Sequence, residues 1–284
     1  MTPSVNEHYL ETKQVIDAIV CDSPQGQKKK CAIFAMVQNE PVFLPLWLTY
    51  YGRFFDGDDM FIFDHRTSDD SVDKAAEQFH FRRFRLDYPF SFDHQWFQFV
   101  AEHVQHKLLA DYEYVIFTDI DEILMVNPKK YKGLGDYIHR VSDDFVQCVG
   151  YELIHMKKKE HPIKLDKPVL SQRKYWYRNK MYDKTLLSRK PLHWKIGFHG
   201  IDQPIPRKDE DFYLIHLHKL DFDMSHEKTF KRSQLPWNEV DLKNNWGWQN
   251  RITDDEKFYD FFYKWPRGLE ITKIPRTIRK TNLF

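Results

Sequence analysis

The chain has 284 residues, enough for one large domain or two small ones around a substantial core. Its formal net charge of +1 argues against a general nucleic-acid binder, and no apolar run approaches the length of a membrane span. Three cysteines, Cys21, Cys31 and Cys148, have no metal-type spacing and leave an odd count, so a reduced chain is expected.

Residues 1–30 read as an N-terminal extension, with a weakly periodic segment from Tyr9 to Val20 and a polar linker, SPQGQKKK, whose lysines form a solvated loop. The opening MTPSVNEHYLETK lacks a basic-then-apolar signal, so the expected location is cytoplasmic, with any membrane contact peripheral and at the inner face. CAIFAMV, Cys31 to Val37, is continuously apolar like a central parallel strand, and it stops at Gln38-Asn39-Glu40-Pro41. Pro41 suits the first turn of a helix, which Phe43, Trp47 and Tyr50 continue at helical spacing. Met60 to Phe63 predicts a second strand, ending in DHRTSDDS (Asp64 to Ser71) with a helix over 72–79 after it. Phe81 to Leu86 is a candidate third strand. The amphipathic helix over 93–110 puts Trp96, Phe99, Val100, Val104 and Leu108 on one side.

That helix leads into YVIFTDIDEILM, Tyr114 to Met125, an apolar strand that needs only Val115, Ile116 and Phe117 buried and delivers Asp119, Asp121 and Glu122 at its end. Alternation along an extended chain would put Asp119 and Asp121 on one face, where both can bind one hard cation. Two like charges held so close call for such a partner. Strands alternating with helices predict a doubly wound α/β sheet with polar groups at the carboxyl ends of its strands. Neither GxGxxG nor GxxxxGK[ST] occurs, so acids and polar turns must hold any nucleotide.

A short helix in GLGDYIHRV and a strand from Phe145 to Leu153 come next, with Glu152 near the strand's end. Over 151–220 the chain carries 16 Lys and Arg against 8 Asp and Glu, about +8 by count. A basic region facing an acidic, metal-holding rim is what a diphosphate leaving group requires, and Lys184 and Arg189 are candidates to supply the charge. His199 lies between Gly197 and Gly200, which allow close backbone approach to a ligand. In FYLIHLH, alternation puts His216 and His218 on one face. Residues 221–284 read as a helical cover whose aromatic loop holds Trp237, Trp246 and Trp248; the last two either stack on an acceptor sugar or pack under the helices.

In order, QNE after the first strand, DHRTSDDS after the second, DIDE after a later strand and the histidines near 199 and 218 resemble family 2-type glycosyltransferases of the A-type fold. The likeness spans roughly residues 31–220 and is nearest to the bacterial subgroup whose domain carries a DxDE strand end. His65 and Arg66 stand where the family's DNGSTDGS-like turn has Asn and Gly. The resemblance implies an α/β fold, a Rossmann-like mixed sheet flanked by helices over 31–220, with 221–284 as a helical elaboration. It implies transfer of a sugar from a nucleotide-sugar donor, UDP-linked by expectation, to a hydroxyl of a glycan or glycolipid, with inversion. Asp64, with Asn39 and Glu40, would line the donor nucleotide's pocket. Asp119 and Asp121 would hold Mn²⁺ or Mg²⁺ bridging the donor phosphates, completed by a later histidine, His199 first and His218 second. Lys184 would add positive charge there. The family's usual ED base has no clean counterpart, which leaves Glu152 to deprotonate the acceptor hydroxyl.

Two other classes share parts of the pattern. Aspartate-nucleophile phosphatases also end an apolar strand in DxD, with Asp119 then attacking phosphorus and Asp121 acting as acid–base, but their pair belongs on the first strand. A non-catalytic nucleotide- or carbohydrate-binding module on a transferase fold is the third reading, against which stand both retained acids and the Asp64 turn.

Overall fold

In the computed structural model, which describes residues 5–21, 27–204 and 207–281, the first long apolar run forms strand β1 (Lys29–Val37), with Ile33, Phe34 and Ala35 wholly buried. Residues 1–4 of the expected N-terminal extension and 22–26 of its linker lie outside the described residues. Strand β1 lies between β2 (Met60–His65) and β4 (Tyr112–Phe117), parallel to both, and β3 (Arg82–Leu86) extends the parallel set beyond β2. A strand flanked on both edges must be apolar on both faces, which is why CAIFAMV shows no alternation. Lys29 and Lys30, expected in a loop, begin this strand because acids wait beside them: Lys29 pairs with Asp59 at 2.7 Å and Lys30 with Glu113 at 2.9 Å.

Helices α1 (Val5–Asp17), α2 (Phe43–Tyr51), α3 (Ser71–Ala76) and α4 (His94–Leu108) accompany these strands. Asp93 caps α4 by accepting the amides of Gln95 and Trp96, each at 3.0 Å, and the helix then buries Trp96, Val100, Val104 and Leu108 at every fourth position. Helix α1 buries Ile16 and packs against α4, where Thr12 Oγ1 accepts the Trp96 indole N–H at 3.2 Å.

The second half adds β5 (Glu122–Val126), α5 (Leu134–Arg140), β6 (Phe145–Ile154), α6 (Val169–Gln172), β7 (Tyr175–Arg178), β8 (Thr185–Ser188) and β9 (Arg207–Lys219). Then come α7 (Phe222–Ser233), α8 (Glu239–Lys243), α9 (Asp255–Lys264), β10 (Ile271–Lys273) and α10 (Arg276–Arg279). All ten strands of the described residues join one mixed sheet in the order β10-β7-β6-β8-β4-β1-β2-β3, with β9 paired to β6 and β5 paired to β9 off that path. This is the expected mixed α/β sheet flanked by helices. Among the described residues after 220 the regular elements are helices apart from β10, which adds an edge to β7. It packs Phe258, Phe261 and Phe262 with Ile154 and Tyr177 as a second apolar cluster. Cys21, Cys31 and Cys148 are free thiols. No helix among the described residues is long and apolar enough to cross a membrane.

The stretch read as one strand ending in DIDE is two strands with a break. β4 stops at Phe117, residues 118–121 leave the ladder, and β5 starts at Glu122 in antiparallel pairing with β9. Aromatic side chains of α2 satisfy polar groups in the break and in the strand just after it. Trp47 Nε1 donates to Thr118 Oγ1 at 2.8 Å, Tyr50 Oη to the Leu124 carbonyl at 2.7 Å, and Tyr51 Oη accepts the Leu124 amide at 2.9 Å. Each buried polar group would otherwise cost about 1–3 kcal/mol, so the α2 aromatics fix where the acids emerge.

Candidate metal centre and active site

Beyond the carboxyl ends of β1 and β4 lies a cleft of about 730 Å³, where a parallel sheet with strands added on both sides of its first strand is expected to bind ligands. Loops after β1 and β4, the end of β9, Tyr182, Lys184 and helix α7 all supply its walls.

At its floor Asp121, His216 and His218 come together, with one ligand atom from each lying within 4.8 Å of the others. Asp121 comes from the break after β4, and the histidines come from one face of β9. The imidazole rings stack at 5.8 Å and 12° as the strand alternation requires. Glu152 on β6 sits 2.9 Å from His216 Nδ1, which leaves His216 Nε2 facing Asp121 Oδ1 at 3.6 Å. A carboxylate behind a histidine in this way fixes ring orientation and raises basicity, an arrangement recurrent at metal centres. Tyr182 packs its ring over His216 at 4.3 Å. His218 Nε2 is buried with no hydrogen-bond partner, and such a nitrogen is costly unless something else satisfies it. The donor set of one carboxylate oxygen and two imidazole nitrogens therefore fits a metal ion.

Charge is balanced tightly here. Burial works against ionised Asp121, but the charges of His216 first, and then of Lys228 and Arg232, outweigh it and hold its carboxyl well below the usual range. Burial likewise opposes protonated His216, yet Glu152 and Asp121 raise it to about 9. Burial, and then the charge of His216, keep His218 well below its ordinary value and hence neutral.

Asp119 points elsewhere. Its Oδ2 lies 3.0 Å from Lys184 Nζ, which also reaches Glu122 Oε1 at 2.6 Å. Glu122 is fully buried and accepts the Asp119 amide at 3.2 Å, while Asp119 itself is 42% exposed to the cleft. Burial of Lys184 is outweighed by the two carboxylates, which hold its ammonium charged. The break after β4 is what separates the two aspartates: in a turn they need not share a face, and they take different partners.

Of the other expected residues, Asn39, Glu40, Glu152, Lys184 and His199 line the cleft, and Asp64 does not. Asp64 is buried, accepts the Thr67 amide at 2.9 Å and pairs with Arg83 at 2.6 Å, so it braces the turn after β2. Asn39, in the left-handed region at φ 54°, links that turn to the loop after β1 by accepting the Ser68 amide at 2.8 Å. His199 engages the Met181 carbonyl through Nδ1 at 2.7 Å and lies outside the Asp121 group. Gly197 has φ 75°, and a Cβ there would come within 3.1 Å of the His199 ring, so the glycine makes room for the histidine itself. Arg189 pairs with Asp144 away from the cleft, Trp248 lines the cleft, and Trp246 does not. Glu152, the expected base, stands behind His216 with Oε1 also accepting the Lys219 amide at 3.3 Å.

The sequence left His216 open as a metal ligand beside His199 and His218, on the ground that it shares a face with His218, and gave no sign of Lys228 and Arg232. Those two cations lie one helical turn apart in KTFKRS, a spacing that puts them on one face of α7; nothing in the local pattern says which face meets the cleft.

No family model and no curated protein matches the chain. Among solved structures it is similar to residues 1–349 of TarS from S. aureus, at 11% identity over 75% of this chain and 68% of that one, with a TM-score of 0.37. It is also similar to the mannosyltransferase PcManGT from Pyrobaculum calidifontis in complex with GDP-Man and Mn²⁺, at 14% identity over 53% of this chain and 42% of that one, TM-score 0.29. The mannosyltransferase Ktr4p from S. cerevisiae overlaps 54% of this chain and 51% of its own length at 13% identity, TM-score 0.25. At such scores the chemistry of the site has to be argued from this chain's own residues.

Proposed function

We propose that this protein is a metal-dependent glycosyltransferase of the A-type fold, moving a sugar from a nucleotide-sugar donor to a hydroxyl of a glycan or glycolipid. The observation that carries this reading is the convergence of Asp121, His216 and His218 in a cleft at the carboxyl ends of the parallel strands, with His218 Nε2 buried and without a hydrogen-bond partner. Family 2-type ancestry, inversion and UDP as the nucleotide belong to the same proposal and are supported by the order of the QNE, DHRTSDDS and DIDE segments.

Asp121, His216 and His218 would hold the divalent ion, and two nitrogens among three donors favour Mn²⁺ over Mg²⁺, which prefers oxygen throughout. When bound, such an ion supplies Lewis acidity toward a leaving diphosphate. Glu152 orients His216. Lys184 pairs with both Asp119 and Glu122, and Asp119 stays partly open to the cleft. Asn39 and Glu40 line the same cleft and belong to the donor side.

A panel of nucleotide sugars, with and without Mn²⁺, tests the reading. Mn²⁺-dependent turnover of at least one donor is expected, abolished by Asp121→Ala without change in the circular dichroism spectrum. Full activity of that variant removes the metal assignment. Tight Mn²⁺-dependent binding of UDP without turnover of any donor identifies a binding module, and phosphatase activity lost in Asp119→Asn identifies the aspartate-nucleophile class.

A further inference from the structure

Helix α7 presents two cations to the cleft from a segment expected to be only a cover. Lys228 Nζ and Arg232 each lie 2.8 Å from a carboxylate oxygen of Glu40, which is 188 and 192 residues away in sequence. Glu40 is 3% exposed and has its amide fixed to Ser71 Oγ at 3.1 Å, so the carboxylate is a rigid post at the end of β1. Lys228 lies over the Phe43 ring at 4.2 Å, and Arg232 donates to Asn250 Oδ1 at 3.1 Å, so each long side chain is held at two points. Two positive charges meet one negative charge, leaving an excess of one. All three residues line the cleft that holds Asp121, and Asp121 feels both cations.

Such a surplus of immobilised positive charge beside a metal group is built for a polyanion. A ligand with two linked phosphates can meet the ion with some oxygens and α7 with others, and Arg in particular offers paired donors to phosphate. We propose that Lys228 and Arg232 are ligands of the donor's diphosphate, and that Glu40 is a positioning residue that extends both side chains toward the metal group. This inference rests on the reading of the site as a nucleotide-sugar site. It assigns the leaving group's charge to α7, while Lys184 stays paired with Asp119 and Glu122.

Inorganic pyrophosphate, titrated calorimetrically in the presence of Mn²⁺, tests the assignment without requiring the base or sugar to be known. Removing the cations alone would strand the buried Glu40 carboxylate and risk the fold. The comparison is therefore between Glu40→Gln and the triple variant Glu40→Gln/Lys228→Met/Arg232→Met, each with Mn²⁺ binding measured separately. Expected is weakened but measurable pyrophosphate binding in Glu40→Gln, as loss of the carboxylate that positions both cations implies, and a further loss on the order of 100-fold in the triple variant, as removal of two charge-assisted contacts predicts, with Mn²⁺ affinity little changed between the two. Equal pyrophosphate affinity in the two variants overturns the proposal, as does failure of both the wild type and Glu40→Gln to bind pyrophosphate with Mn²⁺. If pyrophosphate binds as expected but no nucleotide sugar is turned over, the transferase reading falls, and Lys228 and Arg232 stand as diphosphate ligands without a sugar-transfer role. If nucleotide sugars are turned over equally by the wild type and the triple variant, this one falls alone.

Discussion

Glu152→Gln separates two roles for one carboxylate. Glu152 is 1% exposed, with Oε2 2.9 Å from His216 Nδ1 and Oε1 3.3 Å from the Lys219 amide. The amide isostere keeps the volume and removes the charge. A hydrogen bond to a charged group contributes about 1.5–3 kcal/mol and a neutral one about 0.5–1.5, so the change costs roughly 1–1.5 kcal/mol at His216. That is about tenfold in metal affinity, the lower end of the 10–100-fold losses typical when an outer carboxylate behind a ligand histidine is changed. Mn²⁺ affinity by calorimetry, together with kcat and KM at saturating Mn²⁺, reads the outcome. A positioning role predicts a Kd for Mn²⁺ raised about 10–100-fold, with kcat within about threefold of wild type once Mn²⁺ saturates. A kcat lowered by about a thousandfold with unchanged Mn²⁺ affinity would refute this reasoning and make Glu152 the base that its place in the chain implied.

Two further outcomes follow from buried groups. Lys184→Met leaves Glu122 buried without its cation and should cost about 3–5 kcal/mol in denaturant unfolding, much of it recovered by adding Glu122→Gln; a wild-type midpoint for the single variant contradicts the ion-pair account. His65 is lowered from 6.5 to about 4, first by burial and then by the nearby Arg66 charge, against the Tyr88 carbonyl 3.2 Å from Nε2. The unfolded chain takes up that proton before the folded one does. Its stabilisation is therefore complete above pH 6.5 and is lost as pH falls through the window down to about 4, by about 3 kcal/mol in all. His65→Gln should flatten the unfolding free energy across that window, and an unchanged slope would show that other groups carry it.

Much of the framework was legible because it depends on local pattern. A strand buried on both faces must be continuously apolar, and CAIFAMV is; a helix with one buried side must repeat near every fourth residue, and Trp96, Val100, Val104 and Leu108 do. Period-two alternation likewise put His216 and His218 on one face of β9. The same reasoning carried the strand that starts at Tyr114 through to its acids in DIDE. Trp47 from α2 bonds Thr118 inside the break, and Tyr50 and Tyr51 bond Leu124 in the strand after it; these α2 partners lie some seventy residues earlier, and no local window contains both halves of the interaction.

The metal group shows the division clearly. Sequence alone determined that acids would stand at the carboxyl end of a central strand and that two histidines would share a face further on. Only the tertiary structure decided that Asp121 joins those histidines while Asp119 turns to Lys184, and that Glu40 draws Lys228 and Arg232 into the same cleft. The reason is physical: periodicity specifies which way a side chain faces its own element, whereas the partner a charge finds depends on which elements the folded sheet and its cover bring within a few ångströms.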